Sequence, residues 1–420
     1  MALTGTTMNF DLLGGLRVIE SSAFIAAPLA GMTLAQFGAD VIRIDMIGGG
    51  IDYGRLPVMP EGRSLYWTGL NKGKRSIAID IRSPQGRELV RALVTAPGEN
   101  GGVLLTNIGV PWLSHASLSA ERSDLISCTI EGNPDGSTAV DYTVNCATGF
   151  PAMTGGGSEN SPVNHVLPAW DIACAYQAAF AVTAAAANRR ATGKGSELRL
   201  ALSDVAFSML SHLGMLAEAE LLDQERPSLG NYIYGAFGRD FSTLDGARIF
   251  VAAISLGQWK SLVKACELET QAGALAASMG LDFAMEGDRY EAREPIAALV
   301  ENWCADRPSD RIADIFKINN VCWGRYQTVR QTLATDPRVS DSNPVFERIE
   351  TAGIGHHLAA GTSVRIAGQP RGRTEPAPVL GQDTDQILMD VLRLDAAAVG
   401  KLHDAGVVAG PSRDPLVGTR

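Results

Sequence analysis

Alternation of short apolar runs with helical segments near the beginning of the chain is the feature that most limits its fold. Leu16 to Ile19 is one apolar run, Pro28 to Phe37 has helical spacing, and Asp40 to Ile44 is a second run after Gly38. Ser76 to Ile81, Val103 to Thr106 and Leu125 to Ile130 add three strand candidates, with a helical segment from Pro84 to Thr95 among them. Such alternation builds a parallel sheet covered by helices, so the expected class is α/β, with a nucleotide-binding type of architecture. No G-x-G-x-x-G joins the first strand to the first helix. Ser21 to Ala27 fills that turn, which argues against a nicotinamide dehydrogenase.

An alanine-rich helix is predicted from Pro168 to Arg190, ended by Gly193-Lys194-Gly195 before a strand from Glu197 to Leu202. One further helix is expected over Asp204 to Leu222. Pro227 to Arg239 reads as a transition into a smaller domain with a strand at Arg248 to Ala253 and helices at Leu256 to Cys266, Arg293 to Ala305 and Ser309 to Ile318. Beyond Val321, strand and loop signals alternate before amphipathic helices at Thr384 to Leu392 and Ala396 to His403. The tail after Gly410 is expected to fray. The expected domains are 1–226, 227–325, and 326–420 returning to complete the first.

The 36 basic and 46 acidic residues leave a net charge of −10, which disfavours nucleic acid as a partner. Six scattered cysteines form no metal-ligand spacing and read as reduced thiols. No metal is expected. The beginning of the chain lacks a basic then apolar leader, and no stretch approaches the length that spans a bilayer, so a cytoplasmic location without membrane association is expected.

Two features carry chemistry. Asp171 falls in the first turn of the long apolar helix, where free backbone N–H groups and the helix dipole favour an ionised carboxylate. It is either a helix-start acid or a carboxylate nucleophile. Between Arg43 and Arg91, nine basic residues stand against five acids, a stretch that is either a phosphate-binding patch or a solvated surface. The 45 glycines include clusters at Gly48 to Gly50, Gly155 to Gly157 and Gly230 to Gly238. Backbone N–H groups there could approach a reacting carbonyl, or the glycines simply form turns.

The segments Gly15 to Glu20, Ala26-Ala27-Pro28, Gly38 to Asp45, Asn71 to Asp80, Gly193-Lys194-Gly195, Ala201 to Asp204 and Pro378 to Asp385, in this order, resemble the family III CoA-transferases. The resemblance covers nearly the whole chain. It implies a Rossmann-like large domain with a parallel sheet, a smaller α+β domain, and an interlocked homodimer. It implies that Asp171 is the nucleophile and that the partner is a small-molecule CoA thioester, with no cofactor beyond that CoA moiety. It also places backbone contacts to CoA near Ile25 and Ala26, adenine packing near Ile79, phosphate contact by Arg82 and a turn contact at Asn107. Lys74 and Arg75 fit a phosphate role or a surface role; Gly155 and Gly156 are candidate oxyanion donors, and His165 is a candidate for the substrate's free carboxylate or a structural histidine.

Loop stretches including Ala23 to Leu29, Ile47 to Tyr53, Asp141 to Asn145, Val163 to Ile172 and Gly230 to Phe241 resemble a branch in which CoA migrates between the two carboxyls of one methylfumarate unit. Two departures narrow the reading. Ile25 stands where formyl-CoA transferases carry Gln, and Val140 where the family's racemases carry their catalytic His. The alternatives are an intermolecular transferase acting on another dicarboxylic acid, or a CoA-thioester-binding protein without turnover.

Overall fold

The computed structural model describes residues 10–155, 161–369 and 371–417. They form two compact units. The first comprises the described residues of 10–147, 166–216, 337–369 and 371–417; the second comprises 148–155, 161–165 and 217–336. Residues 148–155 and 161–165 thus lie in the second unit, although the sequence reading assigns them to the large domain.

The first unit is built on a seven-stranded sheet. Six of its strands, β1 (Arg17–Ser21), β2 (Asp40–Asp45), β3 (Arg75–Ile79), β4 (Val103–Thr106), β5 (Ile126–Glu131) and β6 (Ser196–Ala201), are parallel, in the order β3-β2-β1-β4-β5-β6. That is the doubly wound order, and the chain reverses its direction of travel between β1 and β4. Both sheet faces are covered, so successive residues of one strand enter different cores. Val18, Val41 and Leu105 join the core that contains Ala27, Ala30, Cys174 and Ala178. Ile19, Ile42 and Leu104 join the opposite core with Val90, Leu93, Ile387 and Leu388.

The first core depends on small side chains. Helix Ala26–Gln36 buries Ala26, Ala27, Ala30, Gly31 and Ala35, and helix Ala169–Thr192 meets it with Cys174, Ala175, Ala178 and Ala179. Small residues let the two backbones approach closely, and this explains why the long helix is rich in alanine. It ends at Gly193, whose φ of 71° suits the left-handed cap. The single helix expected over Asp204 to Leu222 is instead two, Leu202–His212 and Met215–Leu222, broken at Gly214 with φ 75°.

The second unit has an antiparallel sheet of β7 (Phe237–Ser242), β8 (Arg248–Ala253) and β9 (Cys322–Arg325). Helices Leu256–Ala265, Glu269–Met279, Glu286–Glu291, Arg293–Ala305 and Ser309–Ile318 enclose a core of Phe237, Phe241, Trp259, Ile296, Trp303 and Phe316. This is a small α+β unit.

The end of the chain belongs to the first unit. After the hairpin β10 (Phe346–Thr351) and β11 (Gly355–Ala360), helices Thr384–Leu392 and Ala396–Asp404 lead to β12 (Val408–Ala409), which pairs antiparallel with β3. The expected fraying after Gly410 does not hold for the described residues. Asp414 is buried, ion-paired with the buried Arg63 at 3.2 Å, and accepts the Leu380 N–H at 3.0 Å.

Candidate functional site

The carboxyl edges of β1 and β4 define the place where a doubly wound sheet opens for a ligand. The turn after β1 is held there by Asn107, just beyond β4. Its side-chain oxygen accepts the Ala23 N–H at 2.9 Å and its amide donates to the Ala23 carbonyl at 2.7 Å. The next residue, Phe24, has φ 65°, and its N–H donates to the Asp52 carboxylate at 2.8 Å. A non-glycine residue in the left-handed region is strained, and the two side-chain clamps keep it in place. Helix Ala26–Gln36 begins immediately afterwards with no side-chain cap, so its first-turn N–H groups face this edge. Ile25, Ala26 and Asn107 therefore gather at the switch point.

Asp171 lies in the first turn of helix Ala169–Thr192. The first-turn N–H groups that a carboxylate there would use are taken by a residue far away in sequence. Asp141, buried, accepts the Trp170 N–H at 2.6 Å and the Asp171 N–H at 3.1 Å through one carboxylate oxygen. Among the described residues, no donor reaches the carboxylate of Asp171. Burial, and then the charge of Asp141, push its pKa up to about 7. The sequence argument from free N–H groups favours the ionised form; the structure reverses that argument because the N–H groups are already engaged. The result is a half-buried, poorly solvated carboxylate, which is the form a nucleophile needs.

Several residues expected to contact CoA are placed otherwise. Lys74 is buried, with its ammonium on Glu20 at 2.8 Å, the Asn71 side chain at 2.8 Å and the Pro28 carbonyl at 2.8 Å. Arg43 is buried in the same cluster, pairing with Glu20 and Asp45 at 2.9 Å each. Arg63 is likewise internal, paired with Asp414, so the basic stretch is no continuous phosphate patch: Arg43, Arg63 and Lys74 neutralise buried acids. Ile79 has no exposure and packs in the core between β3 and its covering helices, where it cannot stack on adenine. Arg75 is half-buried on Asp40 at 2.6 Å. Arg82, paired with Asp80 at 2.9 Å, keeps most of its side chain in solvent.

Gly155 and His165 belong to the second unit. The Gly155 N–H already donates to Pro151 at 3.0 Å, so it is no free oxyanion donor. Gly156 lies outside the described residues. His165 is half-buried, with its backbone N–H on the Asn164 side chain at 3.1 Å.

One residue near Asp171, Tyr66, is not singled out by the sequence. Tyr66 stands in helix Leu65–Leu70, which Ser64 caps by accepting the Trp67 N–H at 3.0 Å. Burial raises the Tyr66 phenol to about 12, Arg55 opposes the rise, and Asp171 and Asp52 add to it, so the hydroxyl remains a donor. The capping serine was the only local signal for this helix. Among the described residues, no three His, Cys, Asp or Glu side chains gather as a metal ion requires, and no single helix is long and apolar enough to cross a membrane.

Comparison with known proteins decides the family: the model of CoA-transferase family III matches residues 13–384. The chain belongs to CoA-transferase family III. It is 52% identical over 404 residues to the 2-methylfumaryl-CoA isomerase of Chloroflexus aurantiacus, covering 96% of this chain and 99% of that protein. It is 27% identical to the formyl-CoA:oxalate CoA-transferase of Rhodopseudomonas palustris, covering 96% and 98%. Among solved structures, a CAIB/BAIF family protein from Brucella suis superposes with a TM-score of 0.72 at 25% identity, covering 91% of this chain and all of that one. A hypothetical protein from Mycobacterium tuberculosis, at 21% identity and a TM-score of 0.71, shares the fold. The protein is thus an enzyme of the family, and a CoA thioester is its class of substrate.

Proposed function

We propose that this enzyme converts 2-methylfumaryl-CoA to 3-methylfumaryl-CoA by moving CoA from the C1 to the C4 carboxyl of one methylfumarate unit. The observation that carries the reading is the half-buried Asp171 carboxylate, pushed up to about 7 and without a described donor, in a chain 52% identical to a 2-methylfumaryl-CoA isomerase. Asp171 attacks the C1 thioester carbonyl, expelling CoA thiolate and forming a mixed anhydride. The thiolate attacks the aspartyl carbonyl, which releases the C1 carboxylate and leaves an aspartyl-CoA thioester. The C4 carboxylate of the same molecule then attacks that thioester, thiolate leaves again, and its attack on the C4 carbonyl restores Asp171.

Water would hydrolyse each intermediate, so the apolar setting of Asp171 serves the chemistry as well as the pKa. The backbone of Ile25 and Ala26, the Asn107-clamped turn and Arg82 are assigned to CoA. The enzyme works as an interlocked homodimer in the cytoplasm, in keeping with its six free cysteines.

The test supplies labelled free mesaconate together with mesaconyl-C1-CoA. Absence of label from the C4 thioester is expected, and appreciable incorporation would favour intermolecular transfer to a free acid. Asp171→Ala and Asp171→Asn should each lose at least about 10³-fold in rate, as for loss of a covalent catalyst. Near-native turnover in either would remove Asp171 from the role.

A further inference from the structure

The Arg55 guanidinium lies between two aromatic rings, 5.4 Å from the Phe24 ring centre and 5.2 Å from that of Tyr66. No described carboxylate pairs with it, although Arg43 and Arg63 close by in sequence are both ion-paired, and the Arg55 side chain is exposed. The Tyr66 hydroxyl is buried and has no described hydrogen-bond partner. A buried hydroxyl without a partner is costly, and beside it the exposed guanidinium, flanked by two rings, keeps its N–H donors free of any described carboxylate, so the pair points to an anionic acceptor supplied from outside the chain. Phe24 belongs to the clamped turn after β1, and Tyr66 lies close enough to Asp171 to feel its charge. All these residues belong to the first unit.

We propose that Arg55 and the Tyr66 hydroxyl bind the free carboxylate of a dicarboxylic acyl-CoA and retain the diacid while CoA is attached to Asp171. The inference rests on the function proposed above and adds the carboxylate-binding residues to it. Arg55 supplies two N–H donors in the plane of its guanidinium, and the flanking rings restrict that plane. Tyr66 supplies one O–H. Held in this way, the released dianion attacks the aspartyl thioester before an external acid replaces it, which makes the transfer intramolecular.

The experiment compares mesaconyl-C1-CoA with 2-methylcrotonyl-CoA, in which a methyl group replaces the free carboxylate. Arg55→Met should raise KM for mesaconyl-C1-CoA by roughly tenfold or more, as for loss of a hydrogen bond to a charged group, and Tyr66→Phe by a few-fold. Arg55→Met should also let labelled external mesaconate enter the C4 thioester, and Arg55→Lys should restore part of the affinity. Formation of the trapped Asp171 thioester from 2-methylcrotonyl-CoA should be unchanged in Arg55→Met, which shows that the fold and the nucleophile are intact. Equal impairment with both thioesters, or an unchanged KM and no label entry, would overturn the proposal. Wild-type enzyme that forms the Asp171 thioester and isomerises mesaconyl-C1-CoA, beside a variant with either of those results, isolates the failure to Arg55. Wild-type enzyme inert toward mesaconyl-C1-CoA would overturn the underlying reading as well.

Discussion

Asp141 and Asp171 are thirty residues apart, and the carboxylate of the first accepts the backbone N–H of the second at 3.1 Å. One acid thereby caps the helix that carries the other and denies it the helix N–H groups. It also raises the pKa of Asp171 by charge repulsion, second to burial. Asp141→Asn should keep an acceptor for the cap and remove the charge. The acid limb of kcat/KM, near pH 7 in the wild type because the nucleophile must be ionised, should then move to lower pH. A pH–rate profile measures this; an unmoved limb would dissociate the two residues.

The raised pKa of Asp171 also bears on stability. Between its usual 3.8 and about 7, the folded protein holds a proton that the unfolded chain has lost, so this residue's contribution falls as pH rises through that window and stays low above it. A displacement of this size corresponds to on the order of 4 kcal/mol. Asp171→Asn, though inactive, should therefore unfold at a higher temperature than wild type at pH 8, and at nearly the same temperature at pH 4. Calorimetry at the two pH values decides it, and a difference independent of pH would contradict the assignment.

Lys74 and Arg82 were both read as candidate phosphate contacts, and their variants should behave differently. Lys74→Met leaves Glu20 without its 2.8 Å partner in a fully buried cluster and should cost about 3–5 kcal/mol in urea unfolding. Arg82→Met should leave the unfolding midpoint where it is and weaken substrate binding instead, since its side chain is largely in solvent.

Gly31 lies within helix Ala26–Gln36, where alanine ordinarily stabilises. A Cβ at this position would collide with the Glu20 carboxylate and come within 3.4 Å of the Lys74 ammonium. Gly31→Ala should therefore destabilise the protein, against the helix-propensity expectation, and thermal unfolding gives the sign.

Asp414 holds Arg63 from near the end of the chain, and both side chains are fully buried. Asp414→Ala should cost about 3–5 kcal/mol, because an unpaired arginine would remain inside. A chain ending after Gly410 should be similarly weakened. Unchanged unfolding in both would mean that the segment frays after all.

Much of the large unit was legible in the residues themselves. Apolar runs such as Asp40 to Ile44, the glycine stop at Gly193 and the capping Ser83 before Pro84 are local signals, and each element depends on neighbours within a few residues. The break at Gly214 was missed because the apolar pattern continues across it, and helix Leu65–Leu70 because six residues show too little periodicity.

What the sequence by itself determined, then, is an α/β chain with an acid at the start of a long apolar helix and a family-like order of motifs. Tertiary structure alone decided the state of that acid and the fate of the basic stretch. Glu20 and Lys74 are 54 residues apart, and Arg63 and Asp414 are 351 apart. Whether a charge lies in water, on a ligand or against a buried counter-charge depends on which distant segment the fold brings beside it, and no local pattern encodes that choice.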